Sequence, residues 1–393
     1  MKNYIYFIVV FVGMISQAVA QIKIPFQFLE NKMILLKLPV EGRKDSVTFF
    51  FDTGATVTML DKQVAKKLNI KPDSMDNVGG SSGTKSFELA TNQKIKFNDD
   101  VTIEGLEFIL DDVRRYNEGT GYQFDGIIGN DILFNFLTEI NIDERVMKLY
   151  PKDTKLNLSG YKSFPFTMTE EVEIPHIPVK IKLKNNELYE GIALFDSGAA
   201  LNFLINGKYA EKHRLLEKFD KLGVAGGNDL YGKTKTSVGL IKGISIPTHE
   251  FNSTLVTYIS SDKVGVNAME GYLGLLGAGV IYRYNMVLDY TNHLIYVKPT
   301  SDFNRAFHQT VNPLRLKKVN NKLYIDTIVE QSDAFSQGIK ENMEVIAFNG
   351  KTNPSMAEIN HFFLNKLNKK ITLKVKDQNG IEQTIKFKNS PFL

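Results

Sequence analysis

Two short stretches put a carboxylate where it could do chemistry: Phe51-Asp52-Thr53-Gly54-Ala55 and Phe195-Asp196-Ser197-Gly198-Ala199. Each follows an apolar, β-rich run, residues 47–51 and 192–195, that reads as a strand. Asp, then Thr or Ser, then Gly is turn chemistry at a strand end, so each loop carries a carboxylate at its tip. A carboxylate at the mouth of an apolar strand is partly desolvated, which is where its pKa can be tuned for acid–base work. Two of them in matching settings suggest a carboxylate pair built by duplication.

The tripeptide alone is weak evidence, and its surroundings carry the argument. Asp125-Gly126-Ile127-Ile128-Gly129-Asn130 follows the first copy, and Leu273-Gly274-Leu275-Leu276-Gly277-Ala278 follows the second at nearly the same distance. Similar closing strands come next, Ile140-Asn141-Ile142-Asp143 and Met286-Val287-Leu288-Asp289. Upstream, Ile24-Pro25 and Ile174-Pro175 each lead into an alternating strand, residues 34–38 and 179–183. The period, Asp52 to Asp196, is too long for a solenoid and suits two homologous lobes.

These paired motifs resemble the pepsin/retropepsin superfamily of aspartic peptidases, over roughly residues 22–300. The resemblance implies a mostly β fold over this stretch: two homologous β-barrel lobes about a pseudo-twofold axis, with a small α+β domain of different character expected after them. It implies that Asp52 and Asp196 are the catalytic carboxylates, that Thr53 and Ser197 cross-link the two loops, and that Gly54 and Gly198 let the loops turn. It also implies an endopeptidase in which one proton is shared by the pair and a water held between them attacks the scissile carbonyl, with no metal and no cofactor. The substrate is expected to be an extended peptide or protein segment. Ala55 and Ala199 stand where many pepsins have a hydroxyl residue, so the expected pH range is mild acid to neutral. A catalytically silent peptide-binding adaptor on the same fold is the alternative. A glycosidase using two carboxylates would want aromatic sugar platforms, and the chain has no Trp.

The expected domains are a signal peptide over 1–20, lobe one over 21–155, lobe two over 156–302 and the PDZ-like domain over 303–393. Lys2, an apolar run over residues 5–15 and Ala18-Val19-Ala20 form the export signal. No later segment reads as a membrane span, and no cysteine offers a lipid anchor or a disulfide. The expected location is periplasmic or secreted. Residues 62–68 read as a short helix with Asp61 as its N-cap, and residues 206–219 as a longer one. Gly79, Gly80, Ser81 and Gly83 mark either an ordinary glycine turn or the mobile flap of the resembled family. Gly226 and Gly227 sit at the matching place in lobe two. One flap would resemble pepsin and two a fused retropepsin dimer; the sequence leaves both open.

The segment from Ser332 to Gly350 resembles bacterial PDZ signatures, with a helix over residues 356–367 and a terminal hairpin turning at Asn379-Gly380. Asn342-Met343-Glu344 departs from the usual Gly-Asp, and the presumed carboxylate loop near residues 311–316 contains Pro313 and no glycine. A protein partner through this part is therefore open, with a purely structural docking role beside it. Other chemistry is excluded on context. The Gly-x-Ser-x-Gly at 79–83 lacks the strand and helix of a nucleophile elbow. The Gly-x-Gly at 277–279 lacks an acidic ribose partner. His176, His213, His249, His293, His308 and His361 have no metal-ligand spacing. A net charge of +4 without a basic block argues against nucleic acid.

Overall fold

The computed structural model describes residues 21–29, 32–40, 46–80, 83–97, 101–113, 117–118, 121–229 and 232–391. The expected signal over 1–20 and Ser81 lie outside the described residues. The chain is mostly β. Its first strands are β1 (Ile22–Phe28), β2 (Ile34–Pro39), β3 (Ser46–Phe51), β4 (Thr58–Asp61), β5 (Ser74–Gly79), β6 (Thr84–Lys96), β7 (Thr102–Asp111), β8 (Gly126–Ile128), β9 (Leu137–Asn141) and β10 (Val146–Tyr150). In β1, Ile22, Ile24 and Phe26 turn inward while Lys23, Pro25 and Gln27 face water, the period-two pattern of a half-buried strand. Around the first aspartate loop, β3 runs parallel to β8, β8 antiparallel to β4, and β4 parallel to β7.

The same arrangement recurs in the next stretch, made of β11 (Lys162–Pro165), β12 (His176–Lys182), β13 (Leu188–Phe195), β14 (Phe203–Ile205), β15 (Gly223–Asp229), β16 (Gly232–Ile241), β17 (Gly243–Ile246), β18 (His249–Phe251), β19 (Leu255–Ser260), β20 (Tyr272–Leu276), β21 (Tyr284–Asp289) and β22 (Leu294–Pro299). Here β13 is parallel to β20, β20 antiparallel to β14, and β14 parallel to β19. The two stretches are joined where β21 pairs with β9, with Met286 opposite Ile140 and Leu288 opposite Thr138. Ile140, Met147, Met286, Leu288 and Ile295 pack there into one continuous apolar core.

The expected closed barrels are not found among the described residues. The strands form an open thirteen-stranded order from β11 to β5 and an open nine-stranded order from β15 to β18. In the thirteen-stranded order β1 pairs through its first half with β10 and through its second half with β2, so the order runs on past it into a further group of strands instead of closing. The expected single helix over 206–219 is also corrected. It is a helix over Gly207–Lys212 followed by a 3-10 turn over Leu215–Lys218, separated by Arg214 at φ 53°. That left-handed residue ends the helix and carries Leu215 into the core, where it is fully buried. The helix Lys62–Lys67 has Asp61 as its N-cap, whose side chain accepts from the Gln63 and Val64 amides.

The last strands are β23 (Leu314–Val319), β24 (Lys322–Ile328), β25 (Glu344–Phe348), β26 (Lys351–Thr352), β27 (Lys370–Lys376) and β28 (Glu382–Lys388), a six-stranded sheet with its own apolar cluster. The helix Met356–Asn365 starts at a reciprocal cap between Ser355 and Glu358. This sheet docks on the hairpin of β15 and β16. Val329 joins Ala225, Val238, Leu240 and Val256 in one cluster, and the Val224 amide donates to Gln331 Oε1 at 2.8 Å.

The crossing loops depend on glycine where backbones nearly touch. A Cβ on Gly129 would stand 1.9 Å from the Asp52 carbonyl oxygen, and one on Gly274 2.0 Å from that of Leu204. Gly129→Ala is therefore expected to lose roughly 2–3 kcal/mol of stability. Gly79→Ala, whose Cβ would meet nothing within 4 Å, should melt within about 2 °C of wild type in a thermal denaturation.

Candidate active site

Asp52 follows the last residue of β3 and Asp196 the last residue of β13. Their amides donate to Ile128 O at 2.9 Å and Leu276 O at 3.0 Å, on the strands that run parallel beside them. The Ala55 carbonyl then accepts from the Asn130 amide, and the Ala199 carbonyl from the Ala278 amide, both at 2.9 Å. Each aspartate loop is thus tied at both ends to the Gly-apolar-apolar-Gly segment behind it.

The loops are also tied to each other. The Thr53 amide donates to Ser197 Oγ at 3.0 Å, and the Ser197 amide donates to Thr53 Oγ1 at 2.9 Å. Thr53 Oγ1 in turn donates to Phe195 O at 2.8 Å. Both hydroxyl residues are buried, so these bonds have no competition from water. The cross-link brings Asp52 and Asp196, 144 residues apart, to opposite sides of one point. A Cβ on Gly198 would lie 2.2 Å from Asp52 Cγ, and one on Gly54 2.9 Å from Asp196 Cγ. The two carboxyls hydrogen-bond each other. The Gly54 amide donates to Asp52 Oδ1 at 2.7 Å; the Gly198 and Ala199 amides donate to Asp196 Oδ1 at 2.8 and 3.1 Å.

Burial pushes both carboxyls up from the ordinary 3.8, and Asp52 furthest. For Asp52 the negative charge of Asp196 adds to burial, and the bond between the carboxyls raises it again. For Asp196 that same bond works downward, as do the Ala199 and Gly198 amides. The asymmetry places the shared proton toward Asp52 and the charge toward Asp196, while the pair titrates as one unit. Tyr282 and Tyr290 are buried nearby; burial first, and then the charge of Asp52, pushes their hydroxyls up.

Both carboxyls open onto one cavity of about 1960 Å³. Pockets for small ligands run about 300–1,000 Å³, so this space suits a larger, extended occupant. Gly79, Gly80 and Gly83 line it from the hairpin of β5 and β6, which closes through the Gly80 amide on Gly83 O at 2.8 Å. The Gly80 carbonyl reaches across to accept from the Val266 amide at 3.0 Å, a contact that no sequence signal announces. Gly226 also lines the cavity but is packed differently. Its carbonyl faces Thr327 Oγ1 at 3.5 Å, and a Cβ there would meet the Thr327 side chain at 2.4 Å. The backbone of Gly227 pairs with Thr234. The second glycine hairpin thus rests on the C-terminal sheet.

Asn130 is a supporting residue that sequence reasoning passed over. Its Nδ2 donates to Glu173 O at 2.8 Å, bridging the segment behind Asp52 to the chain leading into β12. Its position next to Gly129 was visible, but its long-range partner was not. Among the described residues, no three His, Cys, Asp or Glu side chains cluster as metal ligands. No helix of the described residues is long and apolar enough to cross a membrane.

Two measurements test this site. Thr53→Val keeps the shape and strands the Phe195 carbonyl and Ser197 amide, so urea denaturation should show a loss of roughly 2–4 kcal/mol. Asp52→Asn tests the pair's charge. The native state keeps a proton that the unfolded chain releases near 3.8, so stability is full below that pH and falls as pH rises through the native titration. At pH 7 the variant should exceed wild type by at least about 1 kcal/mol, and the gain should vanish as pH drops below about 4.

With the geometry in hand, the chain was compared with known proteins. No curated protein matches it. Among solved structures, the aspartic proteinase from Irpex lacteus aligns at 16% identity and a TM-score of 0.45, over 73% of this chain and 99% of that one. Residues 37–132, which hold Asp52 and the Gly126–Gly129 segment, match the aspartyl protease family.

Proposed function

We propose that the protein is an aspartic endopeptidase that hydrolyses peptide bonds with a water activated between Asp52 and Asp196. The observation that carries this reading is the pair itself: two half-buried carboxyls, bonded to each other, held by reciprocal Thr53 and Ser197 bonds and open to one large cavity. The family match over residues 37–132 supports it. In the proposed cycle the water oxygen attacks the scissile carbonyl while its proton passes to the ionised carboxylate, the role given to Asp196. The protonated carboxyl, Asp52, gives its proton to the carbonyl oxygen. Asp196 then protonates the leaving nitrogen, one hydroxyl of the tetrahedral carbon returns a proton to Asp52, and the C–N bond breaks. The backbone amides on each carboxylate are fixed before the reaction begins, so little reorganisation is needed as charge moves.

The substrate in this reading is an extended polypeptide lying under the β5–β6 hairpin. Export follows from the segment at 1–20, giving a periplasmic or secreted enzyme. The domain reading keeps two peptidase lobes, over 21–155 and 156–302, and a PDZ-like module over 303–393. The docking of β24 on the β15–β16 hairpin supports a structural role for that module, as a wall of the cleft.

Purified protein is expected to cut casein or a peptide library, to be blocked by pepstatin, and to fall by at least about 10³-fold in kcat/KM on Asp52→Ala or Asp196→Asn. Wild type and Asp52→Ala behaving alike would end the peptidase reading. The raised carboxyls place the rate maximum in mild acid to neutral solution; a profile peaking below about pH 3 would contradict the assigned pair.

A further inference from the structure

One wall of the cavity carries more positive charge than the proposed reaction uses. Lys32, Arg283, Arg305 and His308 all line the space onto which Asp52 and Asp196 open. Lys32 lies in the tight turn between β1 and β2, with φ 68° and its amide on Leu29 O at 2.9 Å. That turn is at the Asp52 end of the sheet, because Ile34, which begins β2, pairs with Phe51.

Arg283 is the fixed element. Its Nη1 donates to Phe303 O at 2.7 Å and Arg305 O at 2.6 Å, and its guanidinium lies 3.6 Å from the Phe307 ring centroid. Its Nε is buried without a partner. These bonds hold the segment that presents Arg305 to the cavity. Arg305 reaches a carboxylate, Asp302, at 3.7 Å, but both side chains are more than half exposed, so the pair neutralises little.

The groups sense one another. Burial first lowers the Lys32 ammonium, Asp302 partly restores it, and Arg305 and Arg283 lower it further. Burial lowers His308, and then Arg305, Lys32 and Arg283 do so as well. Among the described residues, Lys32, Arg283 and Arg305 share the charge of one nearby acid, Asp302. A partly desolvated excess of positive charge is unfavourable unless an anion comes to meet it.

The cluster is near the reacting groups. Lys32 Nζ sits 5.4 Å from the Phe28 ring, and that ring packs edge-on against Tyr282 at 5.5 Å. Tyr282 in turn lies within the field of both aspartates. Lys32 is thus two ring contacts from a residue that senses both aspartates.

We propose that Lys32 and Arg305, set in place by Arg283, form a carboxylate-recognising subsite of the cleft. It selects extended polypeptides that carry a carboxylate to one side of the bond to be cut. This rests on the peptidase reading above. The carboxylate comes from an Asp or Glu side chain or from the end of the substrate chain. Arg is suited to this through its fork of N–H donors, and Lys through its point charge.

The test uses matched peptides that differ only there: internal Glu, internal Gln, a free C-terminus and an amidated one. Wild type should favour the carboxylate forms by about tenfold in kcat/KM at low salt, with the ratio shrinking at high salt. In Lys32→Gln/Arg305→Gln the ratio should approach one; circular dichroism and thermal melting verify its fold. A Glu-over-Gln preference assigns the site to a side chain, and an acid-over-amide preference to the chain end. Equal rates in wild type, or a preference that survives in the double variant, would overturn the subsite. If no peptide is cut, the peptidase reading fails by itself. Fluorescence anisotropy of the same labelled peptides on Asp52→Asn protein then decides: tighter binding of the acid forms supports the subsite, and equal binding removes it.

Discussion

Two carboxyl groups cannot both be ionised when buried side by side, and the centre of this molecule is built to hold them there. Left alone, like charges would separate or one loop would swing into water. The reciprocal Thr53 and Ser197 bonds prevent that. Each hydroxyl takes the amide of the other loop, so neither aspartate can move without stranding a buried N–H. The repulsion is instead relieved by a shared proton, since burial raises both carboxyls and the charge of Asp196 raises Asp52 further. The same constraint that costs stability at neutral pH therefore provides an acid and a base at one point.

That cross-link works only because the backbone behind it is equally fixed. Gly129 and Gly274 let strands pass at distances that a methyl group would forbid, and the aspartate loops hang from those crossings through Asn130 and Ala278. Stiffness at the loops is thus inherited from the sheets. β9 against β21 completes the frame by placing the two halves in one hydrogen-bonded ladder, with Asn285 closing it through the Ile142 amide at 2.7 Å. A hinge between the halves would have to break this ladder and the apolar core around Ile140 and Met286.

Much of this was legible in the residues, because it rests on local chemistry repeated in sequence. Asp52 and Asp196 stood out through turn residues after apolar strands, and Asp61 through its capping position. What was not legible depended on distant partners. Arg214 gives no local warning of a left-handed backbone; only the need to bury Leu215 explains it. That β1 splits its pairing between β10 and β2 depends on distant partners, which composition cannot reveal. Gly226 reads like Gly80 in sequence, yet its neighbour is Thr327, a hundred residues on. Lys32 and Arg283 carry no local sequence signal, and only the fold sets them on one cavity.

The two glycine hairpins show how unequal packing can make matching sequences behave differently. Among the described residues, the tip of the β5–β6 hairpin is held across the cavity by the Gly80 carbonyl on the Val266 amide, a backbone bond. The hairpin of β15 and β16 is held by an apolar cluster around Val329, by Gln331 on the Val224 amide and by Lys235 against Glu330 at 3.6 Å. Lifting the first breaks a bond worth about 1 kcal/mol net, while lifting the second exposes several buried apolar side chains at about 1.5–3 kcal/mol each. An extended chain approaching Asp52 and Asp196 therefore meets one wall that yields and one that does not. The C-terminal sheet, by occupying one hairpin, leaves the other as the low-cost way into the cleft.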